Sequence, residues 1–214
     1  MATMASPIAA SRSVLPNEVD ADTFYRAITS AQNYRKEEEK QNGVFNTVHS
    51  EWFGAYVHVY SVEEYQDMRR ILFDSGRAGF ALKNRDIVSV FKHHASTISA
   101  LKTMMPVAVA LGGNRLDCFG GELPFRYLKL GFFPVAKVRF NPRYAPEDWN
   151  YARDGEPDII YMVYKKAIVD QQPAPSQELD SQMESAISRL NYTTYEDALA
   201  IQMQSCMIES DQVL

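Results

Sequence analysis

The sequence predicts an α/β fold with one mixed sheet and a helical C-terminal extension. Segments with strand patterns alternate with segments with helical patterns, which is the order typical of α/β proteins. A chain of 214 residues is long enough to bury one sizeable core. Hydrophobic residues make up 46% of the chain and charged residues 23%, as in soluble globular proteins. We expect a flexible leader at 1–18, one domain at 19–168, and a linker with a helical tail at 169–214.

Charge and cysteine content argue against several classes of protein. The net charge of −5 argues against a nucleic-acid-binding protein, which normally has a basic surplus. The chain has no run of the roughly 18–20 apolar residues that a membrane span needs. Cys118 and Cys206 lie far apart, without metal-site spacing, which is typical of reduced thiols. We therefore expect a cytoplasmic protein that binds neither a metal, nucleic acid nor a membrane.

The first half of the chain contains three predicted helices and three predicted strands. Asp20 or Asp22 is expected to cap a helix that begins near Thr23. Alternating residues predict a strand at 51–60, and Ser61 with Glu64 forms a capping box that opens a helix ending at 75–76. Residues 78–82 and 87–91 predict a hairpin. A helix over 97–110 is expected to kink or restart at Pro106.

The second half continues the alternation and then becomes helical. It predicts a strand at 115–119, a helix at 123–130, and strands at 132–140 and 159–164. Residues 141–158 form a long loop, and such loops are uncommon unless they have a function. After a linker at 171–175, we expect helices at 177–190 and 195–207. The apolar stripes of this tail are Met183, Ile187 and Leu190, and then Leu199, Met203, Cys206 and Met207.

Residues 127–132 read Tyr-Leu-Lys-Leu-Gly-Phe, a tyrosine four residues before a helix-ending Gly-Phe. This segment resembles the last helix of the GNAT superfamily of N-acyltransferases, and the likeness extends over about residues 20–168. It implies a mostly antiparallel sheet flanked by helices, in which residues 87–91 and 115–119 are the fourth and fifth strands and splay apart. The Leu-Asp-Cys-Phe strand at 116–119 also looks like that of similar domains in bacteriophages and mobile elements.

The GNAT resemblance implies an activity and a set of site residues. It makes acetyl-coenzyme A the cofactor and an amine, on a small molecule or a protein, the acyl acceptor. Tyr127 would be the general acid that protonates the thiolate. The backbone of the fourth strand would hold the thioester, and the following loop would bind the pyrophosphate. The residues expected to contact the cofactor are Ser89, Val90, Phe91, Ser96, Thr97 and Ile98.

Residues 92–97 depart from the family pattern, which has glycines where this chain has Lys-His-His-Ala-Ser-Thr. Glycine lets a backbone approach a pyrophosphate closely. A second hypothesis is therefore a catalytically inactive GNAT-fold protein that binds another protein through the acidic, aromatic loop and the helical tail. Under either hypothesis, Asp117, Tyr144 and Trp149 are the residues expected to contact the substrate or partner. The tail is expected to dock on its own domain or to form a homodimer contact.

Overall fold

The computed structural model describes residues 15–42, 56–165 and 176–210. Within these ranges, the protein is a mixed α/β structure with one open, mostly antiparallel sheet of seven strands in the order β1-β2-β3-β4-β5-β7-β6. All neighbouring strands pair antiparallel except β4 and β5, which are parallel. The strands are β1 (Asn17–Glu18), β2 (Arg69–Phe73), β3 (Ala78–Lys83), β4 (Asp86–Lys92), β5 (Arg115–Phe119), β6 (Phe132–Val138) and β7 (Ile159–Tyr164).

Helices cover both faces of this sheet. One face packs against α1 and α2 around Phe24, Tyr65 and Phe91, and the other packs against α3 and α4 around Phe80 and Met105. In the described ranges, no helix has the length and apolar character needed to cross a membrane. The helices are α1 (Ala21–Asn42), α2 (Val62–Gln66), α3 (Met105–Ala110), α4 (Glu122–Leu128), α5 (Tyr151–Asp154), α6 (Ser176–Arg189) and α7 (Tyr195–Ser210).

The predicted helix starts are confirmed by their side-chain caps. Asp20 Oδ1 accepts a hydrogen bond from Thr23 N at 2.8 Å, so Asp20 is the cap of α1. Ser61 and Glu64 form the predicted capping box, with bonds of 3.2 and 2.9 Å. The predicted restart near Pro106 is also present, because one turn of π-helix (Ala100–Met104) precedes α3.

Two predicted elements of the first half are wrong. Residues 51–55 lie outside the described part, and residues 56–60 do not form the predicted strand. The helix opened by Ser61 ends at Gln66, and β2 follows it. Ile71 pairs with Phe80, and the order of the sheet requires a strand between β1 and β3. The apolar residues of β2 fit both the helical and the strand period, so the pairing with β3 determines that this segment is a strand.

The terminal predictions have mixed outcomes. Residues 1–14 and the predicted linker at 171–175 lie outside the described residues. Asn17 and Glu18, placed in the predicted leader, pair with β2. The tail docks on its own domain: α6 contacts α4 and β6, α7 contacts β6 and β7, and Tyr192 between them bridges to Lys137. The two helices therefore straddle the β6 edge of the sheet.

The buried face of α7 differs from the predicted stripe. Met203 and Met207 are exposed, whereas Ala198 and Gln202 are buried. Gln202 Nε2 donates to Leu116 O at 2.8 Å and to Met162 O at 3.0 Å. A buried amide with two strand carbonyls as partners thus takes the place expected of a methionine.

Candidate functional site

The fourth and fifth strands separate soon after they meet. β4 and β5 share one registered pair, Asp86 with Arg115. The bond from Asn114 N to Arg85 O, at 2.9 Å, closes the narrow end next to this pair. In the described sheet, the other residues of the two strands have no registered partner across the gap. A wedge-shaped slot therefore opens toward the carboxyl ends of both strands.

A β-bulge bends β4 at the slot. β4 has two residues, Ser89 and Val90, where β3 has one. Ser89 has a φ of 51°, which is strained for a residue other than glycine. Its hydroxyl lies 2.9 Å from the Tyr65 hydroxyl and 3.0 Å from the His58 carbonyl oxygen, to which it donates. These bonds hold the bulge in place, and a bulge bends its strand, here at the start of the separation from β5.

Two carboxylates line the slot on the face of the sheet that carries α1 and α2. Asp86 and Asp117 alternate with Ile87 and Leu116, whose side chains belong to the core on the other face. Asp117 is open to solvent, yet the surrounding protein desolvates its carboxyl and raises its pKa. Asp86 Oδ2 lies 3.7 Å from Arg115 Nε, at the narrow end.

The electrostatics of this pair favour an incoming cation. Burial, and then the charge of Asp117, raise the pKa of Asp86 to about 6 in spite of Arg115. Within the described part of the chain, Asp86 Oδ1 is buried without a hydrogen-bond partner. A positive group in the slot would offset both the desolvation and the repulsion between the carboxylates.

Three tyrosines stand around the carboxylates. Burial raises the pKa of Tyr60 to about 12 and the pKa values of Tyr161 and Tyr195 above the usual range, and the two carboxylates raise them further. The Tyr161 and Tyr195 rings lie 6.4 Å apart, and Lys83 Nζ lies 4.8 Å from the Tyr60 ring centre. The phenols stay protonated at neutral pH, and aromatic faces beside carboxylates favour cations.

The raised pKa of Asp86 predicts a pH-dependent effect of Asp86→Asn. Because the folded pKa lies above the unfolded one, the stability that Asp86 contributes is fully present below about pH 4 and is lost as pH rises through about 6. Asparagine avoids this loss. From pH 3.5 to 7.5, the stability of the variant relative to wild type should rise by about 3 kcal/mol, measured by urea unfolding at each pH. A difference that stays constant over this interval would contradict the prediction.

The loop after β4, expected to bind a pyrophosphate, uses its amides inside the protein. Ala95 N donates to His93 Nδ1 at 3.1 Å, and Ser96 N donates to His93 O at 2.9 Å. Thr97 N donates to Asp74 Oδ2 at 3.2 Å, and Asp74 is only 2% exposed. An internal carboxylate therefore already occupies an amide that a phosphate would need.

The other residues expected to contact the cofactor are mostly buried. Their side chains belong to the cores on the two faces of the sheet or to the packed loop, and Thr97 alone among them is exposed. The buried ones are Ser89, Val90, Phe91, Ser96 and Ile98.

Tyr127 lies on α4, on the face of the sheet opposite to the carboxylates. Its side chain is only 5% exposed and belongs to the same core cluster as Val90. Its ring packs edge-on to Phe132 at 6.0 Å. Burial raises its pKa well above the usual range, with smaller contributions from Cys118 and Asp117. The phenol thus keeps its proton at neutral pH, as a proton donor must.

The loop at 141–158 packs on the sheet through Trp149. This side chain is 8% exposed, and its ring centre lies 4.9 Å from that of Phe119 and 5.1 Å from that of Phe140. Its Nε1 donates to Gly155 O at 3.0 Å. Tyr144, by contrast, is 85% exposed. The structure therefore separates the predicted contact residues, with Asp117 in the slot, Trp149 in a core and Tyr144 on the surface.

Sequence reasoning missed most of the slot. The predicted hairpin of 78–82 and 87–91 left Asp86 in its turn, Tyr60 was assigned to a strand, and Tyr195 was assigned to a helix start. One feature of the sequence could have indicated the slot. Asp86 and Asp117 both alternate with apolar residues, in two strands that were expected to be neighbours in the sheet. Among the described residues, no group of three or more His, Cys, Asp or Glu side chains is placed to hold a metal ion.

The comparisons with known proteins give no family assignment. No family model matches the chain, and no curated protein or solved structure matches it significantly.

Proposed function

We propose that this chain is a GNAT-like protein that binds a cationic group of a partner protein in the slot between β4 and β5, without catalysing acyl transfer. Two features support the likeness: the mostly antiparallel sheet, and the separation of β4 from β5 after one residue pair. The resemblance of residues 127–132 implies both.

The observation that carries this proposal is the use of the loop amides. Ala95, Ser96 and Thr97 donate within the protein, and the acceptor for Thr97 is a buried carboxylate. A coenzyme A pyrophosphate would have to displace Asp74 and then lie beside its negative charge. On the face of the sheet that carries α3 and α4, the side chains of Val90 and Tyr127 are packed into the core. The described residues therefore fit coenzyme A poorly.

The open face of the slot fits a positive side chain. Asp117 is accessible to a ligand, and its charge acts on Asp86, so a cation in the slot relieves the repulsion between the two carboxylates. A guanidinium group adds a planar fork for carboxylate oxygens and a flat surface for aromatic rings. Exposed hydrophobic side chains on the loop and on α7 give a protein partner further contact area. They are Tyr144, Tyr151, Met203 and Met207.

A ligand-dependent unfolding experiment tests the proposal. N-acetyl-arginine amide should raise the midpoint of thermal unfolding, while the citrulline amide, equal in shape but uncharged, should not. A ligand at about 100 times its Kd adds roughly 2.7 kcal/mol to stability. Coenzyme A and acetyl-coenzyme A should leave the midpoint unchanged. Equal shifts with arginine and citrulline amides would contradict binding by charge.

A second candidate function is transfer of an acetyl group from acetyl-coenzyme A to an amine. One observation favours it: Asp117 and Tyr127 flank β5 on opposite faces, close enough for the charge of Asp117 to affect the Tyr127 pKa. A carboxylate that can accept an ammonium proton would thus lie across β5 from a protonated phenol. A thermal shift with coenzyme A, together with acetylation of an amine in the same sample, would favour this candidate over the first.

A further inference from the structure

A polar groove lies between α1 and the turn that joins β2 to β3. Its volume is about 490 Å³. It lies on the α1 side of the sheet, away from α3. Its floor consists of alanine and leucine side chains, and none of the described residues that line it is acidic. The polar lining residues are Arg26, Arg77, His93, Thr23, Ser30 and Ser75.

Two nitrogen donors belong to residues that line the groove, Arg77 and His93. Arg77 Nη1 has no hydrogen-bond partner within the described ranges. His93 Nδ1 accepts a bond from Ala95 N, so the neutral imidazole carries its proton on Nε2 and donates from there. Burial, and then the charges of His94 and Arg77, lower the pKa of His93, as expected where positive groups converge.

The nearby carboxylates already have partners. Asp22 is exposed and pairs at 2.5 Å with Arg26, which itself lines the groove, so Arg26 is not counted among the groups that hold the ligand. Asp74 Oδ2 accepts the bond from Thr97 N. Neither carboxylate supplies the hydrogen bond that Arg77 Nη1 lacks. An anion entering the groove would supply it, and buried polar groups are ordinarily satisfied.

We propose that this groove binds a small phosphorylated molecule. Arg77 and His93 hold the phosphate, and the uncharged part of the molecule lies on the apolar floor. A guanidinium matches phosphate geometry with two parallel bonds, and an imidazole Nε2–H adds a third donor. The site is separate from the acidic slot, and it stands whether or not the slot binds a cation.

The experiment uses ribose 5-phosphate and ribose as probes of the full chain at constant ionic strength. NMR signals of the His93 ring should shift saturably with ribose 5-phosphate and not with ribose. His93→Asn keeps an acceptor for Ala95 N but lacks the Nε2–H donor, and Arg77→Gln removes the guanidinium. Each variant should weaken binding about tenfold or more. Arg143→Gln, an equal charge change at an exposed residue outside the groove, should bind as wild type does.

Two results would overturn the proposal. One is a shift in wild type that never saturates or that ribose reproduces. The other is an unchanged affinity in His93→Asn and Arg77→Gln together. If Arg77→Gln does not fold, His93→Asn and the wild-type titration decide the question.

Discussion

Asp117→Asn is expected to weaken the binding of N-acetyl-arginine amide by about tenfold or more. The amide keeps the size of the side chain and removes its charge. In wild type, this carboxylate is accessible to a ligand, and its charge adds to that of Asp86 in attracting a cation. Affinities of the two proteins, measured by NMR titration at pH 7, give the ratio directly.

The matched control for this variant is Asp67→Asn. Asp67 is an exposed carboxylate at the end of α2, outside the slot, and its replacement makes the same change in net charge. If both variants bind alike, the protein attracts arginine through its overall charge and the slot has no special role. A second readout is the Asp86 carboxyl, because loss of the Asp117 charge removes one cause of its raised pKa. The pKa of Asp86 should therefore fall in Asp117→Asn.

The sequence predicted those elements whose signals are local. The hairpin of β3 and β4, the strand β5 and the helix α4 each have a pattern confined to a few residues. The caps at Asp20 and Ser61 are local as well, since donor and acceptor lie three residues apart. In contrast, β2 was taken for the end of a helix, because only its pairing with β3 distinguishes a strand from a helix there.

The candidate site could not be predicted in the same way, because its members come from distant parts of the chain. Tyr60, Asp117 and Tyr195 meet only through the topology of the sheet and the docking of α7. Asp74 is the clearest case, since nothing near it in sequence indicates that its carboxylate accepts the Thr97 amide. Because of that contact, we interpret the loop as a turn whose amides bond within the protein and not as a phosphate-binding loop.

The fold that holds the slot depends on close packing at Gly79, and Gly79→Ala should destabilise the protein by more than about 3 kcal/mol. Gly79 lies directly opposite Leu72 in the pairing of β2 with β3. A Cβ atom there would be 2.5 Å from Ile71 O and 2.7 Å from Leu72 Cδ2. The backbone oxygen cannot rotate away, and paired strands hold a spacing of about 4.8 Å, so the strands themselves must separate.

Gly112→Ala is the matched control for this change. No atom of the described residues lies within 4 Å of a Cβ built on Gly112, so only its φ of 98° opposes the substitution. That strain is worth about 1–2 kcal/mol. Urea unfolding of both variants measures the difference. A displacement of β3 should also disturb the slot, because β3 pairs with β4 on both sides of its bulge. Arginine-amide binding should therefore be lost in Gly79→Ala and kept in Gly112→Ala. A Gly79→Ala variant with wild-type stability would show that β2 and β3 do not pair in this register.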